Sequence, residues 1–229
     1  MAYFLPPEVD FFPHPLLADP DGLLCFGSTV NVNNVLLAYQ FGIFPWNSGD
    51  EPNMWFFTHP RFVLFPEKLI IHKSMRSYLN NNKFEVTFDT CFDTVMNKCR
   101  DKIRKGQEGT WITSDIKSTF AKIHEIGLAH SIEVWQNGEL VGGIYGLALG
   151  KVFFGESMFA DVSNASKFGF IKLVAFLKKK GFTLIDCQQE TNHLKSFGAE
   201  LISKEQFSKH LKSNIFEHSI LGPWTYESS

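Results

Sequence analysis

The pair Asn137-Gly138 constrains this chain more than any other two residues. Asn-Gly between two apolar runs takes the two-residue hairpin turn whose twist matches that of the strands it joins. It therefore makes Ser131–Trp135 and Glu139–Leu149 antiparallel neighbours, and Gly150 turns the chain into a third strand, Val152–Met158. A long helix should follow from Asn164 to Lys180, capped by Ser163 and closed by Gly181. Its lysines 178–180 suit the negative end of a helix. Thr183–Cys187 reads as a buried strand, followed by a short helix, a strand near Leu201 and a final helix. A meander followed by helix and strand in one mixed sheet is an α+β pattern.

Upstream the signals are shorter. Five of the ten prolines fall in the first twenty residues, so the chain should begin as an extended segment over the surface. Asn31–Gln40 reads as a helix with Val32, Val35, Leu36 and Tyr39 on one side, ended by Gly42. Phe44-Pro45-Trp46 reads as a rigid aromatic turn. Strands are expected at Met54–Phe57, Phe62–Phe65 and Phe84–Phe88, and helices at Lys73–Leu79, from Cys91 to Arg104, and from Ser114 to Gly127. The expected organisation is a small N-terminal α/β domain over residues 1–65, with a soft boundary. A larger C-terminal domain over 66–229 would include a basic segment, 66–105. No internal repeat or low-complexity stretch is visible.

Composition excludes several classes. With 44% hydrophobic and 15% aromatic residues, the 229-residue chain is far too apolar to be disordered. A formal net charge of −2 excludes attachment to nucleic acid or membrane by sheer basicity. The distribution is uneven, however. Residues 1–60 contain no Lys or Arg and six acids, whereas residues 61–105 carry ten basic residues against five acidic ones. Such asymmetry points to a polyanionic partner, although two differently decorated solvated faces would look the same. The cysteines at 25, 91, 99 and 187 form no CxxC pair, which reads as reduced, cytosolic thiols. His124 and His130 lack the spacing of a helical zinc site, and no metal is expected. The Pro-broken N-terminus lacks a basic stretch and no apolar run is long enough to span a bilayer, so a cytoplasmic protein with no membrane partner is expected.

Two acids interrupt apolar strands: Glu156 in VFFGESMF and Asp186 in TLIDCQQ. A carboxylate there must find partners or shift its pKa, and is a site candidate alongside the structural reading as a hydrogen-bonded acid. On a strand, Gln188 would share one face with Asp186, while Cys187 points the other way. Trp46 and Trp111 lie in loop-like surroundings, where a Trp is either a hydrophobic plug or a platform that stacks on a base, worth about 1–3 kcal/mol. No GxxxxGKS loop is present. Gly142, Gly143 and Gly146 inside a strand signal close backbone packing or a bulge.

These motifs, taken in order, resemble the leucyl/phenylalanyl-tRNA–protein transferase family. The matching strings are LADPDGLL (17–24), LLAYQFGIFPW (36–46), HPRFVLFPE (59–67), EGTWIT (108–113), HSIEVW (130–135), ELVGGIYGLALG (139–150), FFGESMF (153–159), NASK (164–167) and LIDCQ (184–188). Departures from the family pattern are GSTV at 27–30 and WFFTHP at 55–60. The resemblance implies a C-terminal domain similar to the N-acetyltransferase (GNAT) fold. It also implies transfer of Leu or Phe, less well Met, from aminoacyl-tRNA to the α-amine of proteins with N-terminal Arg or Lys, which marks them for degradation as N-degrons. It implies further that Asp186 orients the acceptor ammonium and relays its proton, with Gln188 bridging to the reacting carbonyl. Glu156 would support that network or hold the acceptor's basic end. Trp46 and Trp111 would sandwich the terminal adenosine, with Tyr39 near the tRNA 3′ end. Ile144, Met158, Leu173, Leu177 and Ile185, each also a core-type residue, would form the donor side-chain pocket. Lys73, Arg76 and Lys83 are the expected tRNA contacts. The ester is already activated, so no cofactor is expected, and the protein is expected to act as a monomer. An acyl-CoA N-acetyltransferase is the rival enzyme, but ADVSNASKFG (160–169) lacks its Q/R-x-x-G-x-G/A loop. A non-catalytic tRNA- or peptide-binding adaptor would lack the Asp186 and Gln188 pair.

Overall fold

In the computed structural model, which describes residues 2–47, 52–81, 83–102 and 110–225, the Asn137-Gly138 turn forms with both residues at positive φ, 53° and 78°. The small N-terminal sheet contains β1 (Tyr3–Leu5), β2 (Leu23–Gly27), β3 (Phe44–Pro45) and β4 (Met54–Phe56), with α1 (Val32–Gln40) between β2 and β3. Its strand order is β1-β2-β4-β3. Phe44-Pro45 is therefore a short edge pairing with β4 and not a turn; an edge is where a sheet tolerates proline. The chain continues with β5 (Arg61–Leu64), α2 (Lys73–Asn80), β6 (Glu85–Phe88), α3 (Phe92–Asp101) and α4 (Ser114–Glu125). Next come β7 (Ala129–Gln136), β8 (Glu139–Leu149) and β9 (Val152–Ala160), the meander. The chain ends with α5 (Ala165–Lys179), β10 (Leu184–Gln188), α6 (Asn192–Lys195), β11 (Glu200–Ile202) and α7 (Lys204–Asn214).

The large sheet has the order β11-β5-β10-β9-β8-β7-β6, and the class is α+β as expected. Every neighbouring pair is antiparallel except β9 and β10, which α5 connects as a parallel crossover. The chain changes sheets between Phe56 and Arg61, so β5, within the segment expected as N-terminal, pairs in the large sheet. All four β5 residues are buried, and a run apolar on both faces needs an interior position. One core lies on the face that carries Tyr145, Phe154 and Leu184 and is covered by α1, α3, α4, α7 and the small sheet. A second lies on the face of Ile144, Phe153 and Ile185, under α5 and α2.

The helix α5 starts one residue later than expected. Asn164, at φ 69°, is its cap in place of Ser163, and no side chain caps it; Gly181, at φ 78°, ends it. Helix α3 ends at Asp101, and residues 103–104 of the expected helix lie outside the described residues.

The sheet departs from regular pairing at two places that face each other. The β8–β9 register shifts between Tyr145 and Gly146, opposite Gly155–Ser157. A Cβ at Gly146 would collide with the Phe154 carbonyl oxygen, which is the close approach its glycine permits. On the other side, β9 and β10 stay paired only through Phe154↔Asp186, and the β10–β5 register shifts between Asp186 and Gln188. Beyond that point the two parallel strands separate.

Candidate active site

Where β9 and β10 part, a cavity of about 570 Å³ opens. Ile144, Phe153 and Ile185 form its apolar floor, and Phe170 and Leu173 of α5 form one wall. Pro45 at the end of β3, the adjacent Trp46, and Trp111 also line it. Met158 completes the apolar lining. Polar groups are few: Glu156, Gln188, Ser157, Ser166 and His193 are among them. An apolar cleft with a few convergent polar groups is the usual form of a small-ligand site.

Glu156 is the carboxyl among the described residues of this lining. It sits in the β8–β9 irregularity, half-buried, and its Oε1 accepts from the Tyr39 hydroxyl at 2.8 Å and from Gln188 Nε2 at 3.1 Å. Burial pushes its pKa up from 4.5 to about 8; the Tyr39 hydrogen bond opposes that rise, the Asp186 charge adds to it, and Arg61 and Gln188 oppose it. Burial, reinforced by the Glu156 charge, likewise raises the Tyr39 hydroxyl well above its ordinary value, so it remains a donor. With both donors on Oε1, no hydrogen bond from the described residues reaches Oε2.

Asp186 does not line the cavity. It is fully buried on the opposite face of β10, where Arg61 Nε and Nη2 grip its two oxygens at 2.8 and 2.6 Å. Arg61 is itself 1% exposed; Nη2 also donates to the Gly42 carbonyl at 2.8 Å and Nη1 to Thr58 Oγ1 at 3.2 Å. Its guanidinium carbon lies 4.6, 5.0 and 5.5 Å from the ring centres of Phe207, Phe44 and Phe57. The carboxylate expected to meet the acceptor ammonium is thus already engaged by a cation that the chain itself supplies.

The expected shared face of Asp186 and Gln188 also fails, for a backbone reason. Gln188 has φ 61°, which turns its side chain to the cavity, while its N–H donates to Asp186 Oδ1 at 2.9 Å and its carbonyl accepts from Thr58 Oγ1 at 2.9 Å. Cys187 alternates with Asp186 as expected, but the face it takes is the cavity side, and burial raises its thiol pKa.

Of the expected donor-pocket residues, Ile144, Met158, Leu173 and Ile185 line the cavity. Leu177 does not; one helical turn beyond Leu173, it is fully buried in the core. Trp46, 36% exposed, and Trp111, half-buried, both line it. Tyr39 does not reach it, because the ring is 1% exposed beneath Glu156 and packs edge-on against Phe154 and Phe120. Lys73, Arg76 and Lys83 are exposed and do not line the cavity; Lys83 lies over the Tyr78 ring at 5.0 Å. The rest of the basic stretch is largely consumed. Lys68 pairs with Glu200, Lys98 and Lys102 with Asp161, and Arg100 with Asp101, while Arg104 and Lys105 lie outside the described residues.

Sequence reasoning missed Arg61, His193, Phe170 and the serines. Arg61 opens an apolar run, the same signal that singled out Asp186. His193 Nε2 is buried with no hydrogen-bond partner among the described residues, and burial lowers its pKa, so the ring is neutral at pH 7. Nothing local in the sequence marks it. Among the described residues no three potential metal ligands converge, and no helix is long and apolar enough to cross a membrane.

Comparison with known proteins adds a family. The sequence profile described as "Leucyl/phenylalanyl-tRNA protein transferase" matches residues 63–212, and that of its N-terminal domain matches 29–58. A leucyl/phenylalanyl-tRNA–protein transferase of Christiangramia forsetii is 51% identical, covering 91% of this chain and 99% of that one. One from Syntrophus aciditrophicus is 45% identical, covering 95% and 91%. One from Anaeromyxobacter dehalogenans is 39% identical, covering 100% and 98%. Among solved structures, the L-PGS of Bacillus licheniformis overlays 83% of this chain and 64% of its own at TM-score 0.42 and 13% identity. A GCN5-related N-acetyltransferase from Kribbella flavida overlays 73% and 59% at TM-score 0.35 and 9% identity.

Proposed function

The chain belongs to the leucyl/phenylalanyl-tRNA–protein transferase family, and on that premise we propose that it moves Leu or Phe from aminoacyl-tRNA to the α-amino group of a protein within the β9–β10 cavity. The acceptors are proteins with N-terminal Arg or Lys. The observation that carries the reading is Glu156, a carboxyl with a pKa of about 8 and one oxygen that no hydrogen bond from the described residues reaches, in the lining of an apolar pocket. An α-ammonium has a pKa of about 7.7–8.0, so donor and acceptor of the proton are matched and neither direction of transfer is steeply uphill.

The reaction needs no enzyme nucleophile. The acceptor nitrogen, freed of one proton by Glu156, attacks the ester carbonyl carbon. The C–N bond forms and the carbon–oxygen bond to the ribose breaks. The leaving ribose oxygen takes the second amine proton, and Glu156 passes the first to solvent. Gln188 donates through Nε2 to Glu156 and keeps its amide oxygen to accept from the ammonium. The bound ammonium draws the Glu156 pKa below its value in the free enzyme, which makes the carboxylate available at pH 7. Trp46 and Trp111 stack on the terminal adenosine, and Ile144, Met158, Phe170, Leu173 and Ile185 take the donor side chain. These apolar walls favour Leu or Phe, with Met less well placed and β-branched donors disfavoured. Lys73, Arg76 and Lys83 supply phosphate contacts, and the protein acts as a cytoplasmic monomer.

The test is incubation with Leu-tRNA and a peptide beginning with Arg, followed by mass spectrometry. A gain of one leucyl residue is expected, with no gain for a peptide beginning with Glu. A gain of an acetyl group when acetyl-CoA replaces the tRNA would instead favour the acetyltransferase reading.

A further inference from the structure

We propose that Arg61 is a positioning residue for transfer, a single guanidinium that sets the spacing between the Trp46 wall and the Gln188–Glu156 pair. The inference rests on the reading of those groups as adenosine platform and acceptor site. Both backbone polar groups of Gln188 end on side chains that Arg61 holds: the N–H on Asp186 and the carbonyl on Thr58. Gln188 needs that grip, because φ 61° is disfavoured for a residue with a side chain and persists only where its surroundings over-determine it. Toward Trp46, Nη2 holds the carbonyl of Gly42, just before β3 (Phe44–Pro45), which leads directly into Trp46, and the guanidinium packs on Phe44. One rigid fork thus reaches the strand of the donor platform and the turn of the acceptor pair. A lysine in its place keeps the charge but cannot serve three partners in a plane.

Arg61 also acts on Glu156 through charge. The groups facing Glu156 are the Tyr39 hydroxyl from α1, Asp186 and the Gln188 amide from β10, and Arg61 from β5, with the neutral His193 ring on the same cavity. Without the guanidinium, the Asp186 carboxylate faces Glu156 unbalanced and holds its proton more tightly.

The experiment is the pH profile of kcat, with KM for Leu-tRNA and for an Arg-initiated peptide, in Arg61→Gln, Arg61→Lys and Arg61→Gln/Asp186→Asn. Arg61→Gln should move the acidic limb up by about one unit or more. It should lower kcat roughly ten- to a hundredfold, with both KM values within about threefold of wild type. Arg61→Lys should leave the limb in place and still lose kcat, and the double variant, neutral at both positions, should return the limb toward wild type. An unmoved limb in Arg61→Gln overturns the proposal, as does wild-type kcat in Arg61→Lys. If Arg61→Gln does not fold, the other two variants decide by the same criteria. If Glu156→Gln keeps the wild-type limb, the assignment of Glu156 has failed instead, and the kcat and KM values of Arg61→Lys alone decide the role of Arg61.

Discussion

Asp186→Ala should cost this protein more stability than any other single change at the site. The Arg61–Asp186 side chains are 1% and 0% exposed, so removing the carboxylate leaves a guanidinium with no counter-charge and no water. Breaking one half of a buried pair costs about 3–5 kcal/mol. The Gln188 N–H loses its acceptor as well, which adds about 1–3 kcal/mol if the group stays buried. For a chain of this length each kcal/mol lowers Tm by about 2–4 °C, so the loss should be at least 6 °C and nearer 15 °C. The assay is urea and thermal unfolding of the purified variant beside Arg61→Met/Asp186→Leu. That double variant removes both charges and should regain most of the stability, because a buried pair gains little over apolar packing. Transfer should be nearly abolished in both, since Gln188 has lost its clamp, while tRNA binding survives. If Asp186→Ala unfolds within about 1 kcal/mol of wild type, the ion pair is not the anchor that the geometry implies.

Glu156→Gln should behave in the opposite way. A carboxyl raised from 4.5 to about 8 binds its proton more tightly when folded, so its stabilising contribution is full below about 4.5 and is lost as pH rises through 8, in total on the order of 5 kcal/mol. The variant should match wild type near pH 5 and exceed it at pH 9; urea midpoints at those two values check this. Leu173→Ala widens the donor pocket, and kcat/KM for Leu should fall about 10- to 200-fold while a bulkier donor loses less, as competing Leu-tRNA and Phe-tRNA would reveal. Reversing Lys73, Arg76 and Lys83 should weaken tRNA binding and reduce the slope of log K against log salt by about 0.7–0.9 per lost contact, whereas an unchanged slope removes α2 from the interface.

The meander, the long helix and the α+β class were legible because hairpin chemistry and apolar periodicity are local. The site was legible only in part, for reasons that are not local. Glu133, in SIEVW, interrupts an apolar strand just as the two acids singled out from the sequence, Glu156 and Asp186, do, yet the three meet different fates. Glu133 is fully buried and bonded to Thr87 and to the backbone before α3; Asp186 is neutralised by Arg61; Glu156 alone meets the cavity. Each has a partner far off in sequence, 46, 125 and 117 residues away for Glu133, Asp186 and Glu156. Alternation placed Gln188 beside Asp186, but one left-handed residue and a register shift reverse that choice. Counting charge by segment put Arg61 with the tRNA-facing lysines, although its position at the head of an apolar strand marked it for burial.

The most direct test of the account is the single-turnover rate of Leu transfer to an Arg-initiated peptide across pH 6–9. Wild type, Glu156→Gln and Asp186→Asn are to be compared. The account predicts that Glu156→Gln is slow at every pH and that its acidic limb rises to the amine's own value of about 7.7–8.0. Asp186→Asn, which leaves Arg61 unbalanced beside Glu156, should be slowed with its limb displaced downward. A wild-type profile in Glu156→Gln, with the limb lost in Asp186→Asn, would make Asp186 the proton acceptor and contradict the account.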